Sequence, residues 1–306
     1  MSVNAETQQS SSQGLAAADK RDDGEHALWG GDMAESYIKR SGGCNPPLAD
    51  KLIDLVRTLL PPPDKPLSIL DNGCGPAIMT SQCLKHPAIA NHHNLHISAV
   101  DIGKDFVASN RSLIASHPEW NQDGKVIDTA VEDACNLSFG DKTFDASFTA
   151  LAIFAFPNPA KAARELYRTL KPGGVTAASM FKGGGWQPVF YETESIIRPG
   201  KEHTAVPLLD QWKPKGKLEQ MLKESGFVDV IEGEASAMAW WDSAEEAAAN
   251  LTDTVKMLVG DAWSATEKGR MAEEMANVIR RGGGGVVHDG DQVGFEVLVW
   301  MAVGRR

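Results

Sequence analysis

Chemistry is most legible in Asp71-Asn72-Gly73-Cys74-Gly75-Pro76-Ala77 of this 306-residue chain. The apolar run Leu67-Ser68-Ile69-Leu70 leads into it, and Ile78-Met79-Thr80-Ser81-Gln82-Cys83-Leu84, with helical spacing, leads away. The order strand, glycine turn, helix sets unpaired N–H groups beside a backbone that lets a ligand come close. Two details separate it from the dinucleotide fingerprint G-x-G-x-x-G: Ile78 fills the third glycine position, and the acid Asp71 stands just before the first glycine. A carboxylate there repels a pyrophosphate and suits a ligand carrying positive charge. A glycine pair alone occurs in loops by chance, so the reading depends on what the rest of the chain supplies.

Further acids follow in order. Leu95 to Asp101 alternates as a strand and ends in an acid, which can accept hydrogen bonds from both hydroxyls of a ribose. Its distance from Gly73 exceeds the roughly 20 residues usual for such an acid, and an extended loop over Ala88 to Asn94 accounts for the excess. Val126 to Ala130 reads as a third strand, followed by Val131-Glu132-Asp133-Ala134, and Leu137-Ser138-Phe139-Gly140-Asp141-Lys142-Thr143-Phe144-Asp145 runs into a fourth. Lys171-Pro172-Gly173-Gly174 turns into a fifth, Val175 to Phe181.

This series resembles the class I S-adenosylmethionine-dependent methyltransferases, whose first motif is an acid followed by G-x-G-x-G and whose fourth strand is entered through L-x-F-x-D-x-x-F-D. Ala77 in place of the last glycine is the one mild departure. The resemblance covers about Leu67 to Phe181 and implies an α/β, Rossmann-like fold that binds S-adenosyl-L-methionine and transfers its methyl group. It implies that Asp71, Asn72, Gly73, Gly75, Asp101, Ile102, Glu132, Asp133, Ala134 and Ala150 line the cofactor site, with Asp101 on the ribose and Asp133, beside Ala134, facing the adenine amino group. In the family, leading helices cover the cofactor, which makes Tyr37 and Arg40 candidates to meet the methionine carboxylate.

The later half shows a patchier likeness to small fungal secondary-metabolite methyltransferases of the gliotoxin bis-thiomethyltransferase type. That implies a small natural-product acceptor, for which Phe154, Trp186, Trp212, Trp240 and Trp241 are pocket candidates, with ordinary core packing as the alternative. Methyl transfer to O, N or S rests largely on positioning. An alcohol or phenol gains from a base, and His203, Asp210 and His288 are the candidates. A non-methylating reaction on the same fold and cofactor, or a cofactor-binding regulatory protein, remain open beside methyl transfer.

The elements that must position these residues follow from pattern. Met33 to Lys39 and Pro47 to Leu60 read as leading helices, Ile102 to His117 and Ala160 to Leu170 as helices between strands, and Lys217 to Glu224 as a helix before strand six, Phe227 to Glu232. Phe144 to Phe154 reads as one apolar strand, and the segment around Trp186 and Trp212 as loop-rich. Ser243 with Glu246 and Ser264 with Glu267 are capping boxes that open two late helices. Val293 to Val303 reads as a last strand lying antiparallel between strands five and six. The expected architecture is a seven-stranded, mostly parallel sheet with an antiparallel last strand plus a helical lid. Its parts are a disordered tail (1–25), N-terminal cap helices (26–66), a methyltransferase core (67–235 and 291–306) and a lid insertion (236–290).

Composition agrees. Hydrophobic residues make up 42% and charged residues 23%, enough for a large core. The net charge of −11 and the absence of a basic stripe argue against nucleic acid as partner. Cys44, Cys74, Cys83 and Cys135 form no C-x-x-C pair, and His92-His93-Asn94-Leu95-His96 lacks a completing ligand, so the histidine stretch reads as a polar loop and no metal is expected. No signal peptide or long apolar run is present, which points to a cytoplasmic protein that does not enter the membrane.

Overall fold

The computed structural model describes residues 33–205 and 210–306. The expected tail over 1–25 lies outside them. Helices α1 (Met33–Arg40) and α2 (Asn45–Val56) lead the described chain; α2 opens on prolines and buries Leu48, Leu52, Ile53 and Val56 as one stripe. Five strands then build the parallel part of the sheet: β1 (Leu67–Asn72), β2 (Leu95–Asp101), β3 (Lys125–Val131), β4 (Phe144–Thr149) and β5 (Leu170–Gly184). Between them run α3 (Ile78–Cys83), α4 (Pro87–Ala90), α5 (Lys104–Ser116) and α6 (Pro159–Thr169). Ile69, Leu70, Ile97, Ala146 and Phe148 are fully buried, as central strands covered on both faces require.

The second half contains α7 (Trp186–Ile197), α8 (Lys217–Glu224), β6 (Val228–Trp241), α9 (Ala244–Val259), α10 (Ala265–Arg280), β7 (Val287–Asp289) and β8 (Gln292–Arg305). The sheet order is β3-β2-β1-β4-β5-β8-β6, with β7 paired to β8. Strand β8 runs antiparallel to both β5 and β6, so the last strand lies where its pattern placed it. The parallel order reverses between β2-β1 and β1-β4, and a crevice opens there at the strands' carboxyl ends.

Four expectations are corrected. Strand β4 stops at Thr149, because Leu151 adopts a left-handed φ of 52° and turns the chain into a 3-10 turn at Ile153–Ala155. Strand β6 continues to Trp241, so residues 236–241 belong to the sheet rather than to an insertion. Helix α7 occupies a segment read as loop-rich; its apolar face, Val189, Phe190 and Ile197, is buried, but the glycines before it hide its start. The short β7 adds an eighth strand to the seven expected. Both capped late helices form as read; Ser264 and Glu267 complete a reciprocal capping box.

Candidate active site

The turn after β1 is built from left-handed backbone: φ is 72° at Gly73, 48° at Gly75 and 59° at Ala77. A side chain at Gly73 would be doubly unfavourable, since its Cβ would lie 2.8 Å from the Ala152 Cβ and 3.0 Å from the Phe156 ring. Two side chains hold the backbone of Gly75. Asp101 Oδ2 accepts its N–H at 2.9 Å, and the buried Asn110 Nδ2 donates to its carbonyl at 2.8 Å. The other carboxylate oxygen of Asp101 accepts the Gly103 N–H at 2.8 Å. Asp101 thus ties the turns after β1 and β2 together, and each of its oxygens keeps a further lone pair.

Asp71 is 1% exposed at the end of β1. Its Oδ2 accepts from the Thr80 N–H at 3.0 Å and the Thr80 hydroxyl at 2.7 Å, while its Oδ1 has no partner. Burial pushes this carboxyl up to about 7 against the pull of both Thr80 bonds, and the Asp101 charge adds to the rise. Neither the amide oxygen nor the amide nitrogen of buried Asn72 has a partner. Buried polar atoms without a protein partner fit a polar ligand.

Asp71, Asn72, Gly73, Gly75, Asp101, Ile102, Glu132, Asp133, Ala134, Ala150 and Tyr37, all expected at the cofactor, line one cleft of about 290 Å³. Ile102 is 62% exposed into solvent, an apolar side chain suited to a flat ring. Asp133 Oδ1 accepts the Cys135 N–H at 2.8 Å, and Glu132 is held by the backbone N–H and hydroxyl of Ser138. Tyr37, hydrogen-bonded to Asn45, has its hydroxyl pushed up chiefly by burial, with Cys44 adding. Four carboxylates line the cleft, and among the described lining residues there is no lysine, arginine or histidine. Arg40 is outside the lining.

Sequence reasoning missed Asn45, Leu48, Phe106, Phe156 and Ser179 in that lining. Phe106 stands one helical turn beyond Ile102, a spacing that could have marked it. Asn45 and Leu48 stand one turn apart on α2, while Phe156 and Ser179 come from separate elements.

The acceptor and base candidates are not brought to the cleft. Trp212 is in the core with Leu218, Met221 and Phe227; Trp241 packs at a tilt on Phe295 with ring centroids 5.0 Å apart; Trp186 and Phe154 pack on Phe190 and Phe181. The Trp240 N–H donates to the Gly42 carbonyl at 2.8 Å. His203 Nδ1 lies 3.0 Å from the buried Glu194, which also accepts from Thr204 and Arg198, so this histidine belongs to a staple between α7 and the following loop. Asp210 pairs with Lys213 at 2.7 Å, and His288 Nε2 sits 3.1 Å from the Ile279 carbonyl. Among the described residues no group of three or more His, Cys, Asp and Glu is arranged to hold a metal, and no helix is long and apolar enough to cross a membrane.

Residues 70–178 match the family model described as a methyltransferase domain. Methyltransferase tpcH of Aspergillus fumigatus is 23% identical over 174 residues, covering 54% of this chain and 59% of that protein. The probable methyltransferase ltbC of Aspergillus luteorubrus is 31% identical over 125 residues, 39% of this chain and 41% of its own. The chain spans about half the length of these curated relatives. The structure of YcgJ from Bacillus subtilis superposes with a TM-score of 0.50 at 14% identity, over 84% of this chain and 98% of that one, which is a likeness of fold. None of these likenesses singles out the gliotoxin bis-thiomethyltransferase type.

Proposed function

We propose a methyl transfer from the premise that the chain, through residues 70–178, belongs to the class I S-adenosylmethionine-dependent methyltransferases. The acceptor is O, N or S of a small natural product with aromatic or hydrophobic character. One observation carries the reading: a cleft at the sheet's switch point is lined by four carboxylates and no described cationic side chain, with buried Asp71 Oδ1 and the Asn72 amide left without partners. Such a lining favours a ligand with net positive charge at one end and disfavours nucleotide phosphates.

Bound there, the cofactor would supply a methyl group activated on a sulfonium, passed to the acceptor's lone pair as the methyl–sulfur bond breaks and S-adenosylhomocysteine leaves. Asp71 and Asn72 receive the charged amino-acid end. Asp101 holds the ribose with the lone pairs its backbone bonds leave over, Ile102 and Ala134 bracket the base, and Asp133 accepts from its amino group. Leu48, Ala152 and Phe156 form an apolar wall that excludes water from the reacting atoms. His203, Asp210 and His288 have no catalytic part in this reading.

Calorimetry with S-adenosylmethionine, with ATP as control, tests the cofactor; a methyl-labelled cofactor incubated with cell extract tests the transfer. Binding of the former alone, and label in a small extractable compound, are the expected results. Binding without transfer would favour a non-methylating or regulatory role, and no binding would refute the site.

A further inference from the structure

Helix α1 contributes Tyr37 to the cleft, yet its end is held by residues of β6 and α9 that do not line the cleft. Its connection to α2 passes through Gly42 and Gly43, with φ of 60° and 73°, a pair of left-handed residues at which the chain can pivot. Just before them, the indole Nε1 of Trp241 donates to the Lys39 carbonyl at 3.1 Å. The backbone N–H of Trp240 donates to the Gly42 carbonyl at 2.8 Å, and Lys39 pairs with Glu246 of α9 at 3.1 Å. The fit is tight: a Cβ on Gly42 would lie 2.8 Å from both the Trp240 nitrogen and the Trp241 ring. Trp241 is 4% exposed and fixed against Phe295 of β8, so its N–H is presented by a rigid group.

We infer that Trp241 is a positioning residue for the cleft: it latches the end of α1 and thereby holds Tyr37 in the lining, so that ligand affinity depends on a residue that never reaches the ligand. The ligand being S-adenosylmethionine rests on the function proposed above; the latch itself rests on geometry alone. The two Gly-Gly pivot residues give α1 a way to swing, and the paired N–H groups of Trp240 and Trp241 set the closed position. One consequence is that the end of β6, more than 200 residues from the glycine turn's leading helix in sequence, acts on the cleft's cover through two peptide carbonyls.

Trp241→Phe in the full chain keeps an aromatic ring against Phe295 and removes the indole N–H together with the pyrrole half of the indole. Two measurements are made on it: hydrogen exchange in peptides spanning 33–44, without ligand, and S-adenosylmethionine affinity by calorimetry. Loss of one hydrogen bond of ordinary strength predicts exchange faster by about 3- to 10-fold in α1 and little changed in β1 to β5, with the dissociation constant raised by about the same factor. A cycle with Tyr37→Ala separates a latch from general weakening. If the latch works through Tyr37, Trp241→Phe adds almost nothing to the loss that Tyr37→Ala already causes. Gly42→Ala, which forces the pivot away from both tryptophans, reproduces the α1 exchange signature should Trp241→Phe fold poorly. Unchanged exchange in α1, uniform acceleration with a falling melting temperature, or fully additive effects on affinity would each overturn the inference. A wild-type chain that binds no S-adenosylmethionine would refute the proposed function instead, and α1 exchange would still decide the latch.

Discussion

Asp71 shows how one residue sets stability against binding. Its carboxyl, raised from 3.8 to about 7 chiefly by burial, with the Asp101 charge adding, holds a proton more tightly in the fold than in the unfolded chain. The sign is opposite to that of a salt-bridged acid: stability from this group falls as pH rises from about 4 to about 7 and is flat above, a loss on the order of 4 kcal/mol. Asp71→Asn keeps the shape and removes the charge. It should melt above the wild type at pH 8, with the gap closing near pH 4, and yet bind S-adenosylmethionine more weakly at pH 8. The reverse order of melting temperatures at pH 8 would show that the buried charge is better compensated than its orphaned oxygen implies. Asp101 makes a contrasting prediction, because its carboxylate already holds two backbone N–H groups. Asp101→Ala should weaken cofactor binding at least tenfold and also loosen the glycine turn, seen as faster exchange of the Gly75 amide, whereas Asp101→Glu should be milder in affinity. Equal affinity in Asp101→Ala and wild type would remove Asp101 from the site.

Among the elements, the glycine turn separates required glycines from optional ones. Gly73→Ala combines a left-handed φ with a Cβ 2.8 Å from Ala152, so it should both destabilise the protein and narrow the cleft; lowered melting with weakened binding is the expected pair of results. Ala77→Gly should be close to neutral in thermal melts. Relief of roughly 1 kcal/mol of left-handed strain is offset by a buried methyl group worth a similar amount. This is also where the sequence could be read furthest. Alternating strand and turn fixes where each carboxyl end lies, so Asp71, Asp101 and Asp133 could be placed on one edge from their positions alone. Helix α7 and the length of β6 could not, since glycine-rich entry and a bulge of one extra residue in register disguise their periods. The tryptophans were least legible of all: nothing in a single sequence says which face of an element a Trp occupies, and Trp212 and Trp241 face the core.

For the whole molecule, that placement turns pocket candidates into a stability prediction. Trp212 packs among residues of α8 and β8 at 8% exposure, so Trp212→Ala should cost about 3 to 5 kcal/mol, lowering the melting temperature by roughly 6 to 20 °C, with affinity unchanged in whatever fraction remains folded. A normal melt with loss of turnover would return Trp212 to the acceptor's surroundings. The sheet order carries a further consequence, for biosynthesis. Strand β8 is made after β5 and β6 but inserts between them, so for the time the ribosome needs to translate α9, α10 and β7 both neighbours present long unpaired edges. At roughly 5 to 20 residues per second that interval lasts seconds, long enough for strand edges to find one another on neighbouring nascent chains. A message truncated upstream of Gln292 would make the interval permanent, and its product should be found with chaperones or in inclusion bodies even though every cleft residue has already been translated.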